Sequence, residues 1–199
     1  SWPAGEVKTL YTLGKTRAQE KSKNPRGMAL TLDGKTLYVA NNADQSLSLI
    51  DTHRFIERKR LQVGFAPRHI VRSPDGRSMF VSLTGNDAVA EIDVNTELVR
   101  RVLPVGKRPK TLAVSHDGLF LYAANYIGNS LSIVELATAD SVELALDVYK
   151  VSGLAVSRDD QFIYLTGFCT NDIWAVQRIS AATTAARLPL GRDRDNAPC

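Results

Sequence analysis

The sequence predicts an all-β chain assembled from repeated four-stranded antiparallel sheets, and three observations carry that prediction. A turn pair recurs at a 42-residue step, as Asp33-Gly34, Asp75-Gly76, Asp117-Gly118 and Asp159-Asp160, with no insertion or deletion between copies. The same step relates Pro25, Pro67 and Pro109 to Val151, and Tyr38, Phe80 and Tyr122 to Tyr164. Between these markers, apolar and β-branched residues fall in runs of strand length separated by polar turn residues. A fixed period in the forties with turn signals inside it denotes a propeller or a solenoid of like units.

The elements of the first unit follow in order. Gly27 to Leu32 alternates small and apolar residues, Asp33-Gly34 turns the chain, and Lys35 to Ala40 is rich in β-branched and aromatic residues, which together predict a hairpin. Asp-Gly favours the two-residue type I′ turn, with positive φ at both central residues. The polar stretch Asn41 to Ser46 breaks the pattern, Leu47 to Asp51 supplies a third strand and Arg58 to Val63 a fourth. The units are bounded as 24–66, 67–108, 109–150 and 151–199, the last running toward a fifth, with an outer strand and a basic loop over 1–23.

Such a unit needs neighbours. Positions 29, 71, 113 and 155 hold Ala, Val, Ala and Ala, and positions 47, 89, 131 and 173 hold Leu, Val, Leu and Ile. Apolar residues occur at both parities, as at Leu37 and Tyr38 or Leu49 and Ile50, so both faces of each sheet require cover. A solenoid would need parallel crossovers, whereas these hairpin-length connections favour antiparallel neighbours, leaving blades stacked around an axis.

Composition narrows the classes. At 199 residues, 44% hydrophobic and 23% charged with net charge +4, the chain can bury a core and is not a disordered composition. No apolar run reaches the roughly 18 residues of a membrane-spanning helix, and Ser1 to Glu6 lacks the basic and apolar regions of a secretory signal. Cys169 and Cys199 are too few for a disulfide framework; Cys169 reads as a small buried thiol or as half of a Cys169–Cys199 bridge. No CxxC, CxxCH or Cys/His cluster occurs, which argues against covalent c-type heme and structural zinc, and no cofactor is expected.

The runs Pro25-Arg26-Gly27-Met28-Ala29-Leu30-Thr31-Leu32-Asp33-Gly34-Lys35-Thr36-Leu37-Tyr38-Val39-Ala40-Asn41 and Ser73-Pro74-Asp75-Gly76-Arg77-Ser78-Met79-Phe80-Val81-Ser82 resemble the YVTN-type β-propeller repeat. Ser115-His116-Asp117-Gly118 with Leu121 to Asn125 fits as well, and the fourth copy departs from it with Asp160 for Gly and Val151 for Pro. The resemblance spans about residues 24 to 190 and implies a seven-bladed propeller outside the cytoplasm, periplasmic or extracellular. It also implies an enzyme alternative, since related propellers include lactone hydrolases and quinone-dependent or heme-associated oxidoreductases with an axial site. Seven units of 42 residues exceed a chain of 199, so part of a larger ring is expected here. Val7 to Gly14 reads as an orphan outer strand and Asn196 to Cys199 as entry to a further blade. A half-ring that self-associates through its open blade edges is the competing expectation.

Function is sought on the face that carries the loops between second and third strands and between blades. The inter-blade loops hold 11 of the 25 Lys and Arg. Arg26, Arg68 and Lys110 are 42 residues apart, so repeat symmetry places them in an arc near the inner strands, with Arg108 beside them and Ser152 ending the series. Asn41, Asn86, Asn125 and Asn171 add short polar side chains suited either to binding or to turn geometry. This combination predicts a surface for an acidic protein or a multi-subunit complex. Nucleic acid is disfavoured, because Tyr38, Phe80, Tyr122 and Tyr164 belong to the blades and only Phe65, Tyr126, Tyr149 and Phe168 lie near loops. His53, His69 and His116 occupy three different repeat positions and cannot converge on one metal, and no nucleophile, phosphate-loop or zinc-protease motif is present, so no catalytic or metal residues are assigned.

Overall fold

The computed structural model describes residues 23–168, 172–179 and 182–189. Among them are sixteen strands in four sheets, each an antiparallel meander in chain order. The first is β1 (Pro25–Leu30), β2 (Thr36–Asn41), β3 (Ser46–Asp51) and β4 (Ile56–Gln62), and the second is β5 (Pro67–Arg72), β6 (Ser78–Leu83), β7 (Ala88–Asp93) and β8 (Leu98–Pro104). The third is β9 (Pro109–Val114), β10 (Phe120–Asn125), β11 (Ser130–Glu135) and β12 (Ser141–Ala145), and the fourth is β13 (Val151–Val156), β14 (Phe162–Gly167), β15 (Asp172–Ile179) and β16 (Ala182–Pro189). First strands of successive sheets pack side by side, β1 with β5, β5 with β9 and β9 with β13, as the inner strands of propeller blades. The expected strand over Val7 to Gly14 and the stretch Asn196 to Cys199 lie outside the described residues.

The cores sit between blades rather than within them. Tyr38, Ala40, Leu47 and Leu49 of blade 1 close on Ile70, Met79, Val81, Ala90 and Ile92 of blade 2. The residues 42 positions later, Phe80 and Val89 against Leu112, Leu121, Ala123 and Val134, build the next core. Tyr122, Ala124 and Leu131 against Leu154, Ile163, Leu165, Trp174 and Val176 build the third. At the ends of the series the same positions are uncovered. Met28 is 65% exposed where Ile70 and Leu112 are 4% and 2%, and Tyr164 is 38% exposed where Tyr122 is 0%.

The hairpin differs from the sequence expectation. Gly34 alone has positive φ (+70°), and its N–H donates to Thr31 O at 2.9 Å, so the turn spans Thr31 to Gly34 and is not type I′. Asp33 is not in the left-handed region, and its carboxylate accepts from Thr31 Oγ1 at 2.6 Å and from Lys35 N at 3.1 Å. These two bonds hold the Asp33 carboxyl below its ordinary pKa. The arrangement recurs at Ser73-Asp75-Arg77, Ser115-Asp117-Leu119 and Ser157-Asp159-Gln161. In the fourth copy Asp160 stands in the left-handed position at φ 57°. Its carboxylate reaches back to the third hairpin, accepting from His116 N at 2.8 Å and Asp117 N at 2.9 Å, with His116 Nδ1 at 2.9 Å.

Candidate functional site: the basic loop-bearing face

Each inner strand begins with a register break against its second strand, between Pro25 and Met28, Pro67 and Ile70, Pro109 and Thr111, and Val151 and Gly153. Bulges re-aim side chains, and the bulged residues include Arg26, Arg68, Lys110 and Ser152. Just before each bulge stands a residue in the left-handed region: Asn24 (49°), Ala66 (51°), Arg108 (52°) and Lys150 (54°). Arg108 and Lys150 hold that costly conformation because the preceding blade clamps them, Asp87 Oδ1 accepting from Arg108 N and Asn129 Oδ1 from Lys150 N, each at 2.8 Å. Hydrogen bonds from Tyr126 N to Arg108 O at 3.0 Å and from Phe168 N to Lys150 O at 2.9 Å fasten the second loop of each blade to the same segment.

Burial, and then the charge of Arg68, the preceding member of the series, push the Lys110 ammonium below its ordinary pKa. Blades 1 and 2 approach so tightly here that a Cβ on Gly27 would lie 2.3 Å from Arg68 O. Arg26 and Arg108 are exposed, and Arg68 and Lys110 are half-buried. Among the described residues, no carboxylate forms an ion pair with Arg26, Arg68, Lys107, Arg108, Lys110 or Lys150. The cations of β4, β8 and β15 are instead paired: Arg58 with Glu97, Arg101 with Glu91 at 2.6 Å, Arg100 with Glu91 at 3.0 Å, and Arg178 with Asp117 at 2.8 Å.

The asparagine positions divide. Asn41 and Asn125 are fully buried, each with its Oδ1 lacking a hydrogen-bond partner among the described residues. Each ends a second strand and points inward, Asn41 Nδ2 donating to Ser46 and Ser48 at 3.1 and 2.8 Å, and Asn125 Nδ2 to Ser130 and Ser132 at 2.9 and 2.8 Å. Asn86 is exposed, and its Oδ1 accepts from Phe65 N at 2.6 Å. Asn171, Cys169 and Cys199 lie outside the described residues.

Tyr126, Tyr149 and Phe168, which the sequence places near loops, gather around Lys110 and Lys150. Lys110 Nζ lies 4.4 Å from the Tyr126 ring centroid and 5.7 Å from that of Phe168. Lys150 Nζ lies 4.7 Å from the Tyr149 ring and 5.8 Å from the Tyr126 ring. The 42-residue step from Tyr126 to Phe168 was the available signal.

His69, on β5, donates its backbone N–H to Ser82 Oγ at 3.0 Å, while its Nδ1 accepts from Leu112 N at 3.2 Å. Burial, and then Arg68, hold the ring's pKa below the ordinary histidine value. His53 lies on the β3–β4 turn and His116 on the β9–β10 hairpin, both on the opposite face. No group of three or more His, Cys, Asp or Glu gathers as a metal site among the described residues. No helix there is long and apolar enough to cross a membrane.

Residues 32–176 match the cytochrome D1 heme domain family. No curated protein matches the chain. Solved structures share the fold: Kuenenia stuttgartiensis hydrazine synthase (TM-score 0.74, 18% identity, 88% of this chain and 53% of that one) and Staphylococcus aureus virginiamycin B lyase (0.72, 14%, 88% and 58%). Dihydro-heme d1 dehydrogenase NirN in complex with DHE is also similar (TM-score 0.68, 18% identity, 83% of this chain and 37% of that one). The chain thus spans about half the length of the first two and less of the third.

Proposed function

Because the chain belongs to the cytochrome D1 heme domain family, we propose that it is a propeller module, with blades of the YVTN repeat type, that acts by binding outside the cytoplasm. Its basic loop-bearing face docks an acidic protein or a multi-subunit complex. One observation carries this reading. The cations of β4, β8 and β15 are matched by carboxylates, whereas Arg26, Arg68, Lys107, Arg108, Lys110 and Lys150 pair with none among the described residues. Unpaired like charges gathered on one face create a potential that draws an anionic partner and orients it on approach.

The family name implies a heme, and His69, the histidine of this face, does not fit it as an axial ligand. An axial imidazole presents a ring lone pair to the iron while its other nitrogen carries the proton. His69 spends its Nδ1 lone pair on Leu112 N–H, which leaves the proton on Nε2. The other two histidines are on the opposite face, so the binding reading rests on the cations. A second reading, part of a lactonase-like hydrolase or of a heme-associated or quinone-dependent oxidoreductase, is favoured by the family match and draws its site from residues beyond those described.

Titration of the chain with a fluorescein-labelled octaglutamate peptide at several salt concentrations tests the first reading. Reversing Arg26, Arg68 and Lys110 to Glu together is expected to weaken binding by about tenfold or more and to flatten its salt dependence. Unchanged affinity with an unchanged salt slope would rule this surface out.

A further inference from the structure

One sector of the basic face departs from the repeat. In blades 1 and 2 the first residue of the second loop ties itself to the next inner strand, Asn42 Nδ2 donating to Pro67 O at 3.2 Å and Thr84 Oγ1 to Pro109 O at 3.0 Å. Blades 3 and 4 place Tyr126 and Phe168 at that position. Their ring centroids are 6.4 Å apart and the planes are inclined at 58°, an open wedge rather than a stack. Lys110 sits over both rings, and Lys150 over Tyr126 and Tyr149. Phe168 and Tyr149 remain 50% and 53% exposed.

Two features of this patch call for a ligand. A ring face attracts an ammonium group but carries no net charge, so two positive charges share Tyr126 without neutralisation. Large aromatic surface left open beside them is characteristic of recognition sites, because rigid rings bury much area at little entropic cost. Single-stranded nucleic acid needs successive stacking platforms along a groove, whereas these rings are gathered in one sector.

We propose that this patch selects, within an acidic partner, a segment in which an aromatic side chain is flanked by carboxylates. The partner's ring packs against Phe168 and Tyr149, and its carboxylates meet Lys110 and Lys150. The inference rests on the reading of the loop-bearing face as an acidic-protein surface and adds what that surface distinguishes.

The test compares two nonapeptides of equal charge, eight glutamates around a central phenylalanine or around a central serine, titrated into the chain. The phenylalanine peptide is expected to bind between about threefold and tenfold tighter. Replacing Tyr126 and Phe168 by Ser leaves every cation in place and should make the two peptides equal. Should that double variant fail to fold, the exposed Tyr149→Ser alone should narrow the difference. Equal binding of both peptides to the parent would overturn the inference while leaving the basic-face reading intact. A preference that survives the variants would overturn it too, as would tighter binding of oligothymidylate than of either peptide. Binding of neither peptide would sink both proposals.

Discussion

Asp160 is expected to latch blade 4 to blade 3, and removing its carboxylate should be costly even though glycine is the residue that the repeat uses there. The residue is 7% exposed, and its carboxylate oxygens accept from His116 N and Asp117 N at 2.8 and 2.9 Å. A hydrogen bond to a charged group contributes about 1.5–3 kcal/mol, so two are worth about 3–6 kcal/mol before offsets. The donors sit on an exposed turn, where water takes over part of that sum, and glycine relieves a left-handed backbone costing about 1 kcal/mol. Asp160→Gly should therefore lose about 2 kcal/mol, or about 4–8 °C in Tm for a chain of this size. Burial raises the Asp160 pKa, but the bonds from His116 and Asp117 outweigh it and leave the carboxyl below its ordinary value. The latch thus contributes fully above the unfolded pKa of about 3.9 and fades as pH falls through the lower folded value. Thermal unfolding of parent and variant at pH 7 and at pH 3 reads both effects. A variant as stable as the parent at pH 7, or a deficit unchanged at pH 3, would refute the reasoning.

Two other substitutions probe the blade interfaces. Burial, and secondarily the charge of Glu97, push the Tyr38 phenol up to about 12, and its hydroxyl is buried without a hydrogen-bond partner. Phe80 fills the equivalent place at 1% exposure, so Tyr38→Phe should be neutral or stabilising by up to about 1 kcal/mol in urea unfolding, and a loss above that would mean the hydroxyl is bonded. Gly27→Ala would set a methyl 2.3 Å from Arg68 O, a backbone clash expected to lower stability by about 1–3 kcal/mol; an unchanged urea midpoint would contradict the close approach of β1 and β5.

The repeat was legible because each blade uses the same positions for the same task, so the step from Asp33 to Asp159 marks the sheets, the turn positions and the topology together, though not the turn type. An asparagine at a strand end reads as a turn residue, and for Asn41 and Asn125 only the pairing of β2 with β3 and of β10 with β11 shows Ser48 and Ser132 waiting beneath them. The bulges beside Arg26, Arg68 and Lys110 are a property of two strands in register, which no single strand's composition encodes. Asp160 was visible as a departure from glycine, but its purpose depended on His116, which lies 44 residues earlier in the chain. Tyr126 and Phe168 were placed near loops, and their shared repeat position was not connected with Lys110.

The recurrence of one interface at matching positions also bears on how such a chain can change in length. Every blade carries one surface of the Tyr38 kind and one of the Ile70 kind, so its stability is set by nearest neighbours. Gain or loss of a whole 42-residue block would leave each remaining junction with a compatible mate, while a single residue inserted within a strand would turn its side chains to the opposite face. Met28 and Tyr164 present one surface of each kind, open where their counterparts are buried.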